Sequence, residues 1–294
     1  MSISETIINE LTLVTGKPHQ LKSHSVLGGG CINQAQKLET NRGDYFVKFN
    51  HANLLDMFEA EAEGLNELAK AKSVRLPEVL MSGVADGHAY LVMEYIKPGQ
   101  RASAKDIARF GEQMANLHRY TKNQFGWHRD NTIGSTPQIN NWSDNWVDFY
   151  RDQRLGYQIN LAVKQGARKK LAEKVYELME CLEQFFNQPP MASVLHGDLW
   201  SGNYSHCEDG NHVIYDPAVY FGDREADIAM TELFGGFAAE FYSGYKSVWP
   251  LDEGYGVRKT LYNLYHILNH YNLFGGGYAS QAEDMADQLL SEVR

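Results

Sequence analysis

The stretch that most constrains this chain is His196-Gly197-Asp198-Leu199-Trp200-Ser201-Gly202-Asn203. Thirteen residues past its asparagine comes Asp216-Pro217-Ala218, at the end of the short apolar run His212-Val213-Ile214-Tyr215. Alone, either piece also reads as a turn, because Asp, Gly, Asn and Pro are ordinary turn residues. Together they offer a carboxylate, an amide five residues later, and a second carboxylate after a strand. That set suits phosphoryl transfer. A carboxylate beside an attacking hydroxyl accepts its proton as the bond to phosphorus forms. Mg²⁺ on nucleotide phosphates takes hard oxygen ligands, few of them from protein. The fold must therefore bring residues 198, 203 and 216 to one place.

Protein kinases use an Asp, a later Asn and a post-strand Asp in this order. On that plan Asp198 is the proton acceptor, and Asn203 and Asp216 are the metal ligands. The upstream chain fits the same plan. His24 to Leu27 runs as a strand into Gly28-Gly29-Gly30-Cys31, followed by strands over Asn33 to Glu39 and Tyr45 to Phe49. Glycines let backbone N–H groups approach phosphate oxygens, so Gly28, Gly29 and Gly30 are expected to hold ATP. The loop is neither a GxGxxG nor a Walker A sequence. Its reading depends on Lys48, on the third strand, which would reach the phosphates and be held by a glutamate of the next helix. That helix is expected over Asp56 to Lys72, with Phe58, Ala62, Leu65 and Leu68 on one stripe. Glu59, Glu61 and Glu63 compete for the lysine; Glu61 is the choice and Glu63 the second.

Strands follow at Pro77 to Leu80 and Ala89 to Ile96, and the second ends before Lys97-Pro98-Gly99. A strand leading to a Pro-Gly break marks a lobe boundary. The expected division is residues 1–96, a nucleotide-binding lobe, and 97–294, a catalytic and substrate-binding lobe. Adenine contacts are placed on Glu94, Tyr95 and Ile96. Beyond Ser103, whose carboxylate partner three residues on suggests an N-cap, the pattern is helical. Helices are expected to about Tyr120, over Trp146 to Leu161, Arg168 to Phe186, Gly254 to Asn272 and Gln281 to Glu292. A further helix is expected to open at Phe221 to Asp227, and a short amphipathic one covers Ile3 to Val14. The fold class is α+β: two-lobed and protein-kinase-like, with an N-terminal antiparallel sheet carrying one main helix and a mostly helical C-terminal lobe.

Charge and cysteine content narrow the setting. A net charge of −10 argues against a nucleic-acid partner. No apolar run approaches a membrane span, and the acidic N-terminus does not look like a secretory signal. The three cysteines, Cys31, Cys181 and Cys207, lack metal-ligand spacing and favour a reducing cytosol without disulfides. His266 and His270 have the i, i+4 spacing of metal ligands but no HExxH glutamate, and read as helix-face residues. His118 reads as a packing or capping residue between helices.

With these residues assembled, the chain resembles the fructosamine kinase (ketosamine kinase) family, part of a wider group with aminoglycoside phosphotransferases and choline kinases. The resemblance covers nearly the whole chain. It rests on GGGCIN at Gly28, FVK at Lys48, MFEAEAEGL at Met57, VMEY at Val92 and FGWHRDNTIGSTPQINNW at Phe125. It continues in HGDLWSGN at His196, DPAVYFGDREADIAMTELFGGF at Asp216 and LFGGGY at Leu273. The resemblance implies ATP- and Mg²⁺-dependent phosphorylation of a sugar hydroxyl of a ketoamine, whose unstable product falls apart, a deglycating activity. It carries Asp198 over as proton acceptor, Asn203 and Asp216 as metal ligands, and Lys48 with Glu61 as the phosphate-positioning pair. DPA replaces the DFG of protein kinases and no APE follows, which argues against a protein substrate held by an activation segment.

A ketoamine carries a protonated amine, so Asp223 and Asp227 are expected substrate contacts, with Asp223 alternatively a helix cap. Trp200 is expected to stack on the sugar or roof the site. Trp127, Trp142 and Trp146 are assigned mainly to packing. Cys31, in the phosphate loop, is a minor expected redox site. Two other functions stay open: a kinase of the same fold for another amine-bearing molecule such as an aminoglycoside or choline, and a non-catalytic nucleotide-binding module. The expected partners are a small-molecule or glycated-lysine substrate, with no nucleic acid or membrane, in a cytoplasmic monomer or homodimer.

Overall fold

The structure, a computed structural model, describes residues 2–28, 33–99 and 102–293. Helix α1 (Ile3–Thr15) opens the chain on a capping box in which Ser2 and Glu5 exchange bonds with each other's backbone. Strands β1 (Leu21–Leu27), β2 (Gln34–Thr40) and β3 (Asp44–His51) lead to helix α2 (Leu55–Ala69), then β4 (Val79–Ala85) and β5 (His88–Glu94). The five strands form one antiparallel sheet in the order β1-β2-β3-β5-β4.

Strand β5 shows why this sheet needs two helices. Successive side chains of a strand point to opposite faces. Ala89, Leu91 and Met93 meet Phe58, Ala62 and Leu65 of α2. Tyr90 and Val92 point the other way and pack with Ile7, Ile8 and Leu11 of α1. The short N-terminal helix expected from spacing alone is thus the second cover of the sheet. Phe58, Leu65 and Leu68 are at most 1% exposed, and burying each stabilises by about 1.5–3 kcal/mol.

The rest of the chain is mainly helical. Its elements are α3 (Ala104–His118), β6 (Thr121–Lys122), β7 (Asn131–Ile133), β8 (Thr136–Gln138), α4 (Trp146–Tyr150), α5 (Tyr157–Lys164) and α6 (Lys169–Glu180). Then come β9 (Ala192–Leu195), β10 (Tyr204–His206), β11 (His212–Ile214) and β12 (Tyr220–Gly222), followed by α7 (Glu225–Leu233), α8 (Ala239–Val248), α9 (Tyr255–Phe274) and α10 (Tyr278–Glu292). Ser103 and Asp106 form the expected capping box at α3. Helices α4 and α5 join through a π-helical stretch, Arg151–Gly156. Helices α3 and α8 cross at glycines: a Cβ on Gly111 would lie 2.0 Å from the Phe241 carbonyl oxygen, and one on Gly244 1.9 Å from that of Ala108. Only bare backbone permits this approach.

One expected element differs. Phe221 and Gly222 do not open a helix; they belong to β12, which pairs with β9. The aromatic side chains of Tyr220 and Phe221 suit a strand once a partner is present, and the partner lies far back in the chain. Helix α7 starts only after Asp223, whose carboxylate accepts the Glu225 N–H at 3.0 Å.

The two parts meet along the segment that leaves β5. The Gly99 N–H donates to the His206 carbonyl at 2.7 Å. Lys97 pairs with Glu208 at 2.7 Å. On the other side the Ile214 N–H donates to the Arg75 carbonyl at 3.2 Å. The β10–β11 hairpin is therefore held from both sides by the sheet-bearing part.

Candidate active site

The β10–β11 hairpin explains how residues 203 and 216 meet. Tyr204 pairs with Ile214, so the next residues out, Asn203 and Tyr215, stand opposite each other. The Tyr215 N–H donates to the Asn203 carbonyl at 3.0 Å. Asp216 follows at once, with φ +58°, in the left-handed region. Asp is among the few non-glycine residues that enter that region routinely, through local hydrogen bonding of its short side chain.

Asp198 follows β9. The Asn203 amide donates to its carbonyl and to its carboxylate Oδ2, both at 2.9 Å. The same amide lies 3.5 Å from the Asp216 carbonyl. Asn203 thus points its nitrogen at Asp198. Among the described residues no donor stands on its Oδ1. An amide oxygen and the Asp216 carboxylate are the hard donors a magnesium ion takes. The residues present fit that ion.

From the sheet side Lys48 completes the cluster. Its ammonium donates to Glu61 Oε1 at 2.6 Å and also to Asp216 Oδ1. Glu63, the second choice, is committed elsewhere, to His128 at 2.7 Å and Arg129 at 2.5 Å. The Lys48 side chain is 7% exposed. Burial alone would lower its pKa, but the carboxylates of Asp216 and Glu61 outweigh it, so the ammonium persists. Burial, with the Asp216 charge nearby, pushes Glu61 up despite the pull of Lys48. Two acids and one base share the cluster, and one acid carries the excess.

Asp198 is poised near neutrality. Burial pushes its carboxyl up to about 7, aided by the charges of Asp216 and Asp227 and opposed by the bond from Asn203. A general base works best with a pKa near the working pH.

The catalytic loop hangs from Asp227, on α7. The His196 and Gly197 N–H groups donate to its two carboxylate oxygens at 2.7 and 2.8 Å. His118 lies 3.2 Å from the same carboxylate and 2.8 Å from the Tyr245 hydroxyl, between α3 and α7. Those bonds and His118 hold Asp227 low despite burial. The Asp198 N–H donates to His196 Nδ1 at 3.3 Å, so His196 Nε2 carries the proton donated to the Tyr215 carbonyl at 3.0 Å. Gly197 has φ +82°, and a Cβ there would stand 2.0 Å from the Ala218 carbonyl oxygen. No other residue type fits that position.

This geometry corrects two expectations. Asp223 and Asp227 are 5% and 2% exposed, and their carboxylates are used inside the protein. Asp223 accepts from the Tyr262 hydroxyl at 2.5 Å as well as capping Glu225. It also lies at the wrong end of β12: Tyr220 pairs with Leu195, Gly222 with Ser193, so the strand runs away from His196. Neither acid is placed to meet a substrate amine. The role of Asp227 as loop anchor has no local signal, because its partners lie thirty residues back.

The remaining expected residues fall as follows. Gly28 ends the described part of the glycine loop; Gly29, Gly30 and Cys31 lie outside the described residues. The Glu94 N–H donates to the Glu78 carbonyl at 2.8 Å, and its carboxylate takes Arg75 at 2.6 Å. The Tyr95 N–H donates to the Asp44 carbonyl at 3.3 Å. Among the described residues no backbone carbonyl takes the Ile96 N–H, which leaves it able to bind an adenine edge. Trp200 is 37% exposed beside Asp198. Trp127 and Trp146 are core residues at 1% and 2%, and Trp142 lies against Lys122 and Phe221. His266 is buried and pushed down to about 3 by burial and by His270. Cys207 is a buried free thiol.

Comparison with known proteins covers nearly the whole chain. The family model for fructosamine kinase matches residues 3–292. A Synechocystis protein named probable ketoamine kinase is 45% identical over 291 residues, 97% of this chain and 96% of that one. The chloroplastic protein-ribulosamine 3-kinase of Arabidopsis thaliana is 41% identical over 297 residues, 100% of this chain and 90% of that one. The crystal structure of a Haemophilus somnus protein carrying the fructosamine-3-kinase name superposes with a TM-score of 0.87 at 30% identity, over 97% of this chain and 96% of that one. The chain belongs to the fructosamine kinase family.

Proposed function

We propose that this protein is an ATP-dependent ketoamine kinase, phosphorylating a sugar hydroxyl of fructosamines or ribulosamines. The observation that carries the reading is one cluster of five groups. Lys48 joins Glu61 to Asp216, and Asn203 joins Asp216 to Asp198. They come from α2, β3, the loop after β9 and both ends of the β10–β11 hairpin. Packing alone would not require a buried ammonium between the Glu61 and Asp216 carboxylates, with Asp198 pushed up to about 7 on the other side of Asn203.

The chain's own residues do the following. Lys48, held by Glu61, binds phosphate oxygens of ATP, and the glycine sequence Gly28 to Gly30 is assigned to the same phosphates by its residue type. Glu94, Tyr95 and Ile96 carry the adenine on their backbone. Asn203 Oδ1 and the Asp216 carboxylate would hold Mg²⁺, which when bound neutralises charge on the phosphates. Asp198 orients the sugar hydroxyl and takes its proton while the oxygen–phosphorus bond forms. The bond from the γ-phosphorus to the bridging oxygen breaks, and ADP leaves with that electron pair. We place the lobe boundary at residue 96, two residues past the end of β5. We place the enzyme in the cytosol, where ATP and reduced thiols coexist.

The test is ADP release with fructosyl-lysine, ribulosyl-lysine, choline and an aminoglycoside panel. Turnover of the ketoamines alone is expected. Preference for choline or an aminoglycoside would move the protein to another substrate class, and no turnover at all would leave a nucleotide-binding module.

A further inference from the structure

Two sequence motifs have no part in the chemistry above: Leu233-Phe234-Gly235-Gly236 and Leu273-Phe274-Gly275-Gly276. The fold puts them together beside the catalytic loop. The Trp200 indole lies over that loop, so that a Cβ on Gly202 would stand 2.3 Å from it. Phe234 meets Trp200 edge-on, with centroids 6.4 Å apart. His270 lies 4.8 Å from Phe234, and it contacts Phe274 at 5.7 Å and Tyr278 at 5.2 Å. These five rings come from the catalytic loop, the end of α7, the end of α9 and the start of α10.

The row is not core. Trp127, Tyr150 and Tyr262 are at most 2% exposed, whereas Trp200 is 37% and Phe274 60% exposed. Phe234, His270 and Tyr278 are half-buried. Gly235, Gly236, Gly275 and Gly276 have φ between +64° and +92°, and a Cβ on any of them would meet open space. The glycines turn the chain away and leave the ring faces uncovered.

The reaction sets the direction of the substrate. Its sugar hydroxyl must reach Asp198, and the Lys48 side belongs to the phosphates. The remainder of a ketoamine then leaves across Trp200. That remainder is a protonated secondary amine followed, for a lysine adduct, by methylenes. Ring faces attract a cation and cover an alkyl chain equally well. Burial lowers the His270 pKa, so a neutral imidazole meets the cation at neutral pH. The acids that would otherwise neutralise it, Asp223 and Asp227, are engaged elsewhere.

We propose that Trp200, Phe234, His270, Phe274 and Tyr278 form an aromatic track that binds the amine side of the ketoamine, with Phe234 and Phe274 covering the chain beyond the charged nitrogen. The track rests on the ketoamine-kinase reading and adds to it a recognition element for bulky or lysine-borne amines.

Phe234→Ala, Phe274→Ala and the double variant are assayed with two ketoamines of the same sugar, one made from methylamine and one from Nα-acetyl-lysine. In the double variant the KM for the lysine adduct is expected to rise about tenfold, the equivalent of about 1.4 kcal/mol. The kcat, the KM for ATP and the KM for the methylamine adduct should stay within about twofold. Phe234→Tyr should restore the wild-type KM. Phe274 is exposed, so its variant does not depend on core packing. Equal changes for both adducts, or none for either, overturn the track. Calorimetric binding of the same adducts to the ADP-bound protein needs no turnover. Track-dependent preference for the lysine adduct there supports the inference even if the protein turns over neither, in which case the kinase reading fails. Turnover of both adducts with KM values indifferent to the variants leaves the kinase and removes the track.

Discussion

Asp227 accepts the Gly197 N–H at 2.8 Å from a helix thirty residues further along the chain. Its other oxygen takes the His196 N–H. The acid that looks in sequence like a substrate contact is the bracket from which the catalytic loop is suspended. Asp227→Ala should orphan two buried N–H groups, each costing about 1–3 kcal/mol. Chemical denaturation should show that loss, and kcat should fall about a hundredfold or more because Asp198 is no longer held in place. A variant of wild-type stability and kcat would remove the bracket.

Asp198→Asn should lower kcat by about 10²–10⁴-fold with little change in the KM for ATP. The wild-type kcat/KM should fall as pH drops below about 7, since protonation of Asp198 removes the base. The stability effect has the opposite sense. The folded pKa is raised above the unfolded 3.8, so the charged carboxylate destabilises the fold at pH values above about 7. At pH 8 the asparagine variant should therefore melt higher than wild type. Calorimetry at pH 5 and 8 checks this: the gain should shrink at the lower pH.

Glu61 and Glu63 separate by one measurement. Glu61→Gln should cut kcat/KM for ATP by about a hundredfold, because the neutral amide holds Lys48 weakly and leaves it to Asp216. Glu63→Gln, on an exposed network with His128 and Arg129, should change it by less than about threefold. The reverse ranking would reassign the lysine's partner.

His266 should set part of the acid limit of the fold. Its pKa falls from 6.5 in the unfolded chain to about 3 in the folded one. The unfolded chain thus takes the proton more readily, so this contribution is complete above pH 6.5 and is lost as pH falls toward about 3. Urea midpoints measured from pH 7 to pH 4 should drop more steeply for wild type than for His266→Leu. Parallel slopes would show that other groups govern the limit.

The sequence by itself determined which groups could serve the proposed chemistry, because that chemistry asks for particular side-chain types whatever surrounds them. Asp198, Asn203 and Asp216 were recognisable from residue type and spacing. Lys48 was recognisable from its strand, and the capping box at Ser103 from four consecutive residues. Helices with a clear apolar stripe, such as α1 and α2, were legible because their period is local. Tertiary structure decided what depends on partners distant in the chain. It turned Phe221 and Gly222 into a strand by supplying β9, and chose Glu61 over Glu63 by placing Arg129 beside the latter. It sent Asp223 and Asp227 inward, where Tyr262 and the loop amides take up their charge. A carboxylate in sequence is only a charge; whether it meets a substrate or a backbone N–H depends on which distant segments the packed core brings to it.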